Sequence, residues 1–495
     1  MVLHRHKPTT VPLSRVLDSG SHGDVRIQGL QLDSRQLKAG EAFLAVSGAE
    51  HDGRDYCAQA AAAGAAVIIA EKGLSRAQRS ACAAVPVVEV AGLVQQLGRI
   101  AARYYGEPAA SMRLFGITGT NGKTTTSRLL AQLLRRQFGR CGVIGTLGAT
   151  LGDDISDAVN TTPDAVSLQR VLAEWHDLGV ALAALEVSSH SLDQGRVNGL
   201  SFDTAIFTNL SQDHLDYHGD MVSYGLAKSR LFRDSQLQTA IVNADDPYSA
   251  FLRDVLAPGV QLLTYSVQGT PSTVVASNVS FHDSGLAADI ETPWGEGVLR
   301  SPLAAEFNLS NLLAALAAAC NTGMPLQSVL DCTLDLQGAP GRMEYVPNDL
   351  GLQIVIDYAH TPAALQQALH ALRAHTRGSL ICVFGCGGDR DAGKRPLMGQ
   401  VATAAADRVI VTSDNPRTES PQKIISDIEA GCIHAPEIEV DRAAAIALAV
   451  ATAEPDDCVL IAGKGHETYQ QLGARRLPFS DIQQVRLALT GRQVQ

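Results

Sequence analysis

Residues 114–126 have the residue types and the spacing of a phosphate-binding loop. An apolar stretch leads into the run Gly119-Thr120-Asn121-Gly122-Lys123-Thr124-Thr125. Glycines let successive N–H groups point at a phosphate, the lysine adds a positive charge, and the first threonine hydroxyl can reach a magnesium ion. The spacing differs from the usual loop because the preceding glycine, Gly116, lies one residue early. A plain turn is the alternative, but the strand before, the helix after and the Lys-Thr pair favour an ATP site.

Apolar strands and helical patterns alternate around this loop, as they do in α/β proteins. In the first stretch a strand is predicted at residues 25–32, and in the middle strands are predicted at 141–144, 181–187 and 204–208. Strand–helix alternation predicts a mostly parallel sheet with helices on both faces. At 495 residues the chain can hold several cores. The predicted α/β domains are residues 1–93, 94–340 and 341–495.

Composition excludes several classes of protein. The net charge of −11 argues against nucleic-acid binding, which requires basic clusters. Residues 1–18 lack the apolar segment of a signal peptide, and no apolar run is long enough to span a membrane, so a cytoplasmic location is expected. The nine cysteines include no CxxC pair, and we expect all of them to be reduced.

Acidic residues follow two of the central strands. Glu186 ends an apolar strand, where P-loop proteins place the acid that shares magnesium with the loop threonine. Its alternative is a role in capping the next helix. Residues 213–218 place two acids and two histidines together, and this group fits a magnesium and phosphate edge better than a zinc site.

Two further features concern the middle and the end of the chain. Lys228 lies in an amphipathic helical pattern, which by itself predicts a solvated surface lysine. Four strands in the last stretch end in polar loops, at residues 357–360, 385–390, 413–417 and 463–467. These loops predict a binding crevice at the carboxyl edge of that sheet.

Together these motifs resemble those of the Mur ligase family, the ATP-dependent amide ligases of peptidoglycan precursor synthesis. The resemblance covers nearly the whole chain: the phosphate-binding loop, Asn160-Thr161-Thr162, Glu186-Val187-Ser188-Ser189-His190, Thr208-Asn209-Leu210, Asp213-His214, Asn308 and the loops of the last stretch. It implies three domains, namely a small UDP-binding domain, a central P-loop ATPase domain and a C-terminal Rossmann-like domain for an amino acid.

The resemblance also implies roles for individual residues. The uridine nucleotide is expected at Leu32, Ser34, Ala49, Glu50 and His51, and the muramoyl dipeptide at Asn160, Thr161, Thr162, Ser188, Gln194 and Arg196. ATP is expected at residues 119–125 and at Asn308, Arg342 and Asp357. Thr124, Glu186 and His214 match the magnesium region, with Lys123 among the catalytic groups. Lys228 matches the lysine that the family carbamylates, which would turn a cation into an anion able to bridge magnesium.

The run Asp414-Asn415-Pro416-Arg417 bears on the choice of amino acid. In the family it accompanies ligases that take diaminopimelate, and its arginine holds the distal carboxylate, which lysine lacks. A guanidinium can donate two parallel N–H bonds to one carboxylate. A simple Asn-Pro turn before a helix that starts at Pro421, with Ser420 as its cap, is compatible with this role. Arg390, Gly463 and Glu467 match the other contacts, with Glu467 for the distal ammonium.

The implied reaction joins meso-diaminopimelate to the γ-carboxylate of the D-glutamate in UDP-N-acetylmuramoyl-L-alanyl-D-glutamate, through an acyl phosphate made with ATP and Mg²⁺. The third domain is expected to close over the central one, because water would hydrolyse that intermediate. Alternatives are the same ligase using L-lysine, a related ligase such as folylpolyglutamate synthetase, or a P-loop ATPase switch. The expected partners are these small molecules, with no nucleic acid or membrane, and a monomer is expected.

Overall fold

The computed structural model of the chain describes residues 10–18, 22–48, 51–152, 154–156, 161–282, 285–373 and 375–493. Its larger sheets are built mainly from parallel strands, and they follow one another along the chain. The α/β fold class is therefore confirmed. Within these ranges no helix combines the length and the apolar character that crossing a bilayer requires.

The first unit is a small parallel sheet with strand order β3-β4-β5-β6. Its elements are β1 (Val11–Pro12), α1 (Leu13–Val16), β2 (Arg26–Ile27), β3 (Leu30–Gln31), β4 (Ala42–Ala45), a 3-10 turn (Gly53–Tyr56), α2 (Cys57–Ala62), β5 (Val67–Glu71), α3 (Arg76–Ala81), β6 (Val87–Val90) and α4 (Leu93–Tyr105).

The prediction of a single strand at residues 25–32 is wrong, because this segment changes partner halfway. Its first part, β2, pairs antiparallel with β1, whereas β3 pairs parallel with β4. At the change of partner Gln28 donates its N–H to the carbonyl of Gly40. A Cβ on Gly29 would lie 2.6 Å from the Glu41 carboxylate, so a larger residue here would have to displace the Glu41 side chain.

The central unit contains a long sheet with strand order β10-β9-β8-β11-β7-β12-β13-β14-β15-β16-β17. The strands from β8 to β15 in this order run parallel, and both edges continue antiparallel. The strands are β7 (Arg113–Thr118), β8 (Cys141–Gly145), β9 (Gly148–Leu151), β10 (Asp154–Ser156), β11 (Leu182–Glu186), β12 (Thr204–Phe207), β13 (Thr239–Asn243), β14 (Gln261–Ser266), β15 (Val274–His282), β16 (Gly285–Thr292) and β17 (Gly295–Ser301).

Helices cover both faces of this sheet, as the alternation predicts. They are α5 (Lys123–Phe138), α6 (Ala165–Asp177), α7 (Ser189–Asp193), α8 (Leu215–His218), α9 (Met221–Ser229), α10 (Tyr248–Asp254), α11 (Glu306–Asn321) and α12 (Leu326–Cys332), with 3-10 turns at Pro108–Ser111, Arg230–Arg233 and Thr333–Asp335. One apolar cluster joins α5 and α11 to Ile117 and Ile206, and another joins α6 to Leu114 and Ala205. Successive residues of β7 and β12 thus face opposite cores.

The C-terminal unit has a second mostly parallel sheet, with strand order β18-β19-β23-β20-β21-β22, and a separate hairpin. Its elements are β18 (Glu344–Tyr345), β19 (Gln353–Asp357), α13 (Pro362–Arg373), β20 (Leu380–Phe384), α14 (Lys394–Ala405), β21 (Arg408–Val411), α15 (Pro421–Glu429), β22 (Glu437–Ile438), α16 (Arg442–Thr452), β23 (Cys458–Ala462), β24 (Tyr469–Leu472), β25 (Arg475–Pro478) and α17 (Asp481–Gln493). The prediction of reduced cysteines is confirmed, since all nine are free.

An ion pair lies in the core of the C-terminal unit. Arg442 donates to both oxygens of Asp481, at 2.8 Å each, and neither side chain is exposed to solvent. The same guanidinium donates to the carbonyls of Ser413 and Ala462, the residues that follow or end β21 and β23. Arg442 therefore ties α16 and α17 to the strand ends from which two of the polar loops leave.

We predict that Arg442→Met destabilises the C-terminal unit by about 3–5 kcal/mol, because it leaves the Asp481 carboxylate buried and unpaired. Hydrogen exchange of peptides from β21 and β23 measures the unit without interference from the other two. Arg373→Ala is the control, since its pair with Asp407 is 39% and 51% exposed and such pairs contribute about 0–1 kcal/mol. Equal protection in both variants would contradict the assigned role.

Candidate active site

The phosphate-binding loop follows β7 and ends where α5 begins at Lys123. Gly119 and Gly122 have φ values of 151° and 86°, which glycine adopts easily. Thr208 donates to the carbonyl of Asn121 at 2.6 Å, and the Asn121 N–H donates to Asn209 at 3.0 Å. These hydrogen bonds with residues that follow β12 fix the loop. Thr120 in the loop and Thr125 in the first turn of α5 are both buried.

Lys123 folds back over this loop. Its Nζ donates to the carbonyls of Gly119 and Thr120, at 2.8 and 2.7 Å. Desolvation lowers the pKa of Lys123 to about 8, although Glu186 works in the opposite direction. The ammonium is therefore held by backbone carbonyls at the place where a phosphate would be a stronger partner.

Lys228 is buried, so the prediction of a solvated surface lysine is wrong. Only 1% of the residue is exposed, its Nζ donates to the same Gly119 carbonyl at 2.8 Å, and it lies 4.4 Å above the Tyr224 ring. Burial, and then the charge of Lys123, hold the pKa of Lys228 well below its usual value. The helical pattern misled because α9 packs its charged residue against the loop, 109 positions away in sequence.

Glu186 stands at the end of β11, beside the start of α5. Its carboxylate accepts hydrogen bonds from Thr124 Oγ1 at 2.9 Å and from the N–H and hydroxyl of Thr146, at 2.9 and 3.0 Å. Ser188, whose Oγ accepts from the Ser191 N–H, caps α7. The alternative of Glu186 as a capping residue is therefore wrong, and its carboxylate faces the loop threonine.

These residues suit a magnesium ion that arrives with a nucleotide. Magnesium in such sites takes one or two carboxylates, a hydroxyl and phosphate oxygens rather than a cage of protein ligands. A carboxylate and a hydroxyl are present at Glu186 and Thr124. In the part of the chain that the structure describes, no group of three or more His, Cys, Asp or Glu residues could hold a metal by itself. Lys228, also expected at the magnesium region, contacts the same loop at the Gly119 carbonyl.

His214 belongs to a charged cluster that joins two units of the fold. Asp213 lies 3.4 Å from His214 Nε2, 3.5 Å from His360 Nε2 and 3.5 Å from Lys394 Nζ, and the last two residues come from the C-terminal unit. Burial raises the pKa of Asp213, but His360 and Lys394 outweigh it and keep the pKa well below its usual value. The ionised Asp213 therefore links the carboxyl edges of the two sheets.

The residues expected at the muramoyl dipeptide come together at the end of β11. Thr162 donates to the Glu186 carbonyl at 2.7 Å, and Arg196 donates to the Thr162 carbonyl at 2.9 Å and to Gln194 at 2.6 Å. Thr161 accepts from the Thr146 hydroxyl at 3.2 Å. This group, with Ser188, therefore lies directly beside the carboxylate that contacts the phosphate-binding loop. Asn160 lies outside the described residues.

A cavity of about 450 Å³ opens beside the loop, between the central and C-terminal units. Its lining includes Asn121, Gly122, Asn311, Phe281 and His375. Asn311 also accepts a hydrogen bond from Thr126 at 3.3 Å, and a Cβ on Gly122 would lie 2.3 Å from its Oδ1. The size and the position of the cavity suit the base and ribose of a nucleotide whose phosphates reach the loop.

Three further residues are expected at the nucleotide, namely Asn308, Arg342 and Asp357. Asn308 is buried and donates to the Ala304 carbonyl at 2.7 Å, and it is Asn311, one turn later, that lines the cavity. The Arg342 guanidinium lies 4.5 Å above the Tyr358 ring. Asp357 accepts from the Met343 N–H at 2.7 Å, and burial raises its pKa. None of these three residues is among those that line the cavity, whose wall on the C-terminal side is formed by residues of α13 and by His375.

The residues expected at the uridine nucleotide form a separate group in the first unit. Ser34 is buried and donates to Gln59 at 3.0 Å, Leu32 is partly buried, and His51 is exposed. All three follow strands of the small parallel sheet. Ala49 and Glu50 lie outside the described residues.

The loops expected to bind the amino acid meet at the edge of the C-terminal sheet. Arg417 has a φ of 51°, and its guanidinium donates to the Gly388 carbonyl at 2.6 Å. Burial, and then the nearby positive charge of Arg390, lower the pKa of Arg417, while Asp414 and Glu467 work in the opposite direction. Pro416 is buried, Asp414 is buried, and a Cβ on Gly463 would lie 2.7 Å from the Asp414 carboxylate.

Glu467 forms an ion pair with Lys464, a residue that the sequence did not single out. Lys464 is fully buried, and its Nζ lies 2.8 Å from Glu467 Oε2, 3.1 Å from Asn415 Oδ1 and 3.9 Å from Asp414 Oδ1. Asn415 also donates to Glu467 at 2.8 Å. A substrate ammonium would therefore share Glu467 with an internal lysine. The position of Lys464 just after β23, in Gly463-Lys464-Gly465, is the sequence signal that could have identified this lysine.

Family models match three parts of the chain. They are described as Mur ligase family, catalytic domain at residues 26–105; Mur ligase middle domain at residues 117–319; and Mur ligase, glutamate ligase domain at residues 341–465.

Full-length relatives extend this similarity. A protein of Alkalilimnicola ehrlichii named UDP-N-acetylmuramoyl-L-alanyl-D-glutamate–2,6-diaminopimelate ligase is 48% identical over 484 residues, covering 96% of this chain and 97% of its own. One of the same name from Coxiella burnetii is 45% identical over 486 residues, covering 96% and 99%. A solved structure of a ligase with that name superposes with a TM-score of 0.69 at 36% identity, covering 98% of this chain and 100% of the other.

We predict that Gly122→Ala weakens ADP binding by about tenfold or more, because the new methyl group must displace Asn311 and strain the loop. Isothermal titration calorimetry with ADP measures this loss. Gly139→Ala is the matched control, since Gly139 has a similar φ of 80° but open space around its Cβ position. Unchanged affinity in the Gly122 variant would contradict the proposed contact between the loop and the nucleotide.

Proposed function

The chain belongs to the Mur ligase family, and we propose that it joins meso-diaminopimelate to UDP-N-acetylmuramoyl-L-alanyl-D-glutamate during peptidoglycan precursor synthesis. As a member of that family it is an ATP-dependent ligase that forms carbon–nitrogen bonds and uses Mg²⁺. The observation that carries the choice of amino acid is Arg417, a partly buried arginine held next to Arg390 at the mouth of the crevice. Relatives at 45–48% identity carry the name of this activity.

In the first step the γ-phosphoryl group of ATP passes to an oxygen of the D-glutamate γ-carboxylate, and ADP leaves. The N–H groups of the phosphate-binding loop, the start of α5 and the ammonium of Lys123 stabilise the charge on the phosphates. Thr124 and Glu186 would hold magnesium, which neutralises phosphate charge when it is bound. Arg342, in the C-terminal unit, adds a further positive charge near the phosphates.

In the second step the amine of diaminopimelate attacks the acyl phosphate carbon. The carbon–oxygen bond to phosphate breaks, phosphate leaves, and the amine loses a proton as the amide forms. The acyl phosphate must be kept from water, and the contacts of Asp213 with His360 and Lys394 support a closed crevice during this step.

The amino acid is selected by charge. Arg417 and Arg390 provide a place for the distal carboxylate of diaminopimelate, while Glu467 and Asp414 take the distal ammonium. Lysine has no such carboxylate, so its binding would leave the two arginines without an anion. A site built around a polar partner can reject the analogue that lacks it by roughly 10⁴-fold.

Each of the three units would hold a different part of the substrates. Residues 1–93 hold the uridine nucleotide through Leu32, Ser34, Ala49, Glu50 and His51, residues 94–340 hold ATP and the dipeptide, and residues 341–495 hold the amino acid. Asn160, Thr161, Thr162, Ser188, Gln194 and Arg196 contact the muramoyl dipeptide, and Asn308 and Asp357 contact the nucleotide. We also propose that the enzyme acts in the cytoplasm and as a monomer.

Phosphate release with ATP, Mg²⁺ and the UDP-dipeptide tests this function, with meso-diaminopimelate compared with L-lysine. We expect release with diaminopimelate alone, and mass spectrometry should find the tripeptide product. Release with lysine would support the ligase activity but contradict the proposed selection of diaminopimelate by Arg417. Equal release without any amine would contradict a ligase.

Within the same assay, Arg417→Met should lower kcat/KM for diaminopimelate by about 10²–10³-fold, because it leaves the substrate carboxylate unpaired. Arg377→Met, at an exposed arginine of the same unit, is the matched control and should have no effect.

We predict that Lys228 carries a carbamate in the active enzyme. Only a neutral amine reacts with CO₂, and burial gives Lys228 a larger neutral fraction than a surface lysine has. With ¹³C-labelled CO₂ we expect a carbamate carbonyl resonance that is absent in Lys228→Ala, together with loss of ligase activity. Resonances of equal intensity in the two proteins would contradict the assignment.

A further inference from the structure

The hairpin of β24 and β25, residues 469–478, lies outside the main C-terminal sheet. All four residues of β25 are exposed, and β24 is at most partly buried. A two-stranded hairpin has little stability by itself, so it requires contacts elsewhere. Those contacts run to residues 414–417, the loop that selects the amino acid in the proposed function.

Each contact falls on a different part of that loop. Gln470 Nε2 donates to the Asp414 carbonyl at 2.7 Å, and the Gln471 N–H donates to Asn415 Oδ1 at 2.8 Å. The Arg417 N–H donates to the Gln471 carbonyl at 3.1 Å, and the Gly473 N–H donates to the Arg417 carbonyl at 2.7 Å. Arg417 and Leu472 form a parallel bridge. The hairpin therefore holds the backbone of the selecting arginine from both sides.

This support matters because Arg417 adopts a left-handed backbone conformation, with a φ of 51°. A residue with a Cβ adopts it only when its surroundings compensate for the strain. The hydrogen bonds that Arg417 donates to Gln471 and accepts from Gly473 provide that compensation, and they set the direction in which the Arg417 side chain leaves the loop. Asn415, which contacts Glu467 and Lys464, is oriented by the same strand.

We propose that the hairpin is a specificity element, in which Gln470 and Gln471 are positioning residues for the Asp414–Arg417 group. The proposal rests on the proposed function, since it assigns the hairpin to the amino-acid site of that ligase. None of these hydrogen bonds reaches the phosphate-binding loop or the residues expected at the dipeptide. The effect of the hairpin should therefore be confined to binding of the amino acid.

Two variants separate this role from a general loss of structure. Gln470→Leu removes one side-chain bond to the loop. Gln471→Pro removes the N–H that bonds Asn415, and both main-chain groups of Gln471 face residues 414–417 rather than β25, so the hairpin ladder remains. Arg475→Ala, at an exposed residue of β25, is the matched control.

We expect each Gln variant to raise KM for diaminopimelate by about tenfold. The value of kcat at saturating diaminopimelate, and the KM values for ATP and the UDP-dipeptide, should stay within about twofold of the wild type. The preference for diaminopimelate over lysine in kcat/KM should fall in parallel, and Arg475→Ala should match the wild type.

An unchanged KM for diaminopimelate in both variants would overturn the proposal. An equal loss for all three substrates would overturn it too, because it would make the hairpin merely structural. Failure of the proposed function is distinguishable, since it would appear in the wild-type enzyme as no diaminopimelate-dependent phosphate release.

Discussion

Two ammonium groups converge on one backbone carbonyl, and much of the site depends on this interaction. Lys123 and Lys228 both donate to the Gly119 oxygen at 2.8 Å, although they come from different helices. Two cations this close in a desolvated place repel each other, and burial lowers the pKa of both. Such a site is complementary to an anion. A phosphate bound beside Lys123, or a carbamate on Lys228, would each replace the repulsion by attraction.

The fold places these charges by bringing strand ends together. Strands β7, β11 and β12 are neighbours in a parallel sheet, so Gly119, Glu186 and Thr208 leave it at the same edge. The C-terminal sheet presents its own carboxyl edge to this one, through the contacts of Asp213 with His360 and Lys394. Facing edges suit a reaction in which a phosphorylated intermediate meets an amine away from water.

The amino-acid site shows a second kind of charge balance. Lys464 neutralises one of the acids near Asn415, so that the proposed pocket would present little excess negative charge to the zwitterionic end of its substrate. In the proposed function, Arg417 and Arg390 supply the positive charge for the substrate carboxylate. A buried ion pair of this kind orients its members more than it stabilises the fold, because desolvation offsets much of the attraction.

Sequence alone determined the features that are local in the chain. The glycine and Lys-Thr spacing predicted the phosphate-binding loop, and strand–helix alternation predicted the parallel sheets, because both depend on neighbouring residues. The strands predicted at residues 141–144 and 204–208 are observed at Cys141–Gly145 and Thr204–Phe207. Four loops after strands predicted the crevice of the C-terminal unit, since parallel strands must place such loops on one edge.

Only the tertiary structure decided the features that depend on residues far apart. Lys228 belongs to the site because α9 packs it onto Gly119, and its helical pattern is that of any surface helix. Residues 25–32 form two strands because their partners differ, which an apolar pattern does not reveal. Lys464, Asn311 and the hairpin act through contacts with distant loops. Sequence spacing determines which groups are available, whereas packing determines which charges are desolvated and which side chains meet.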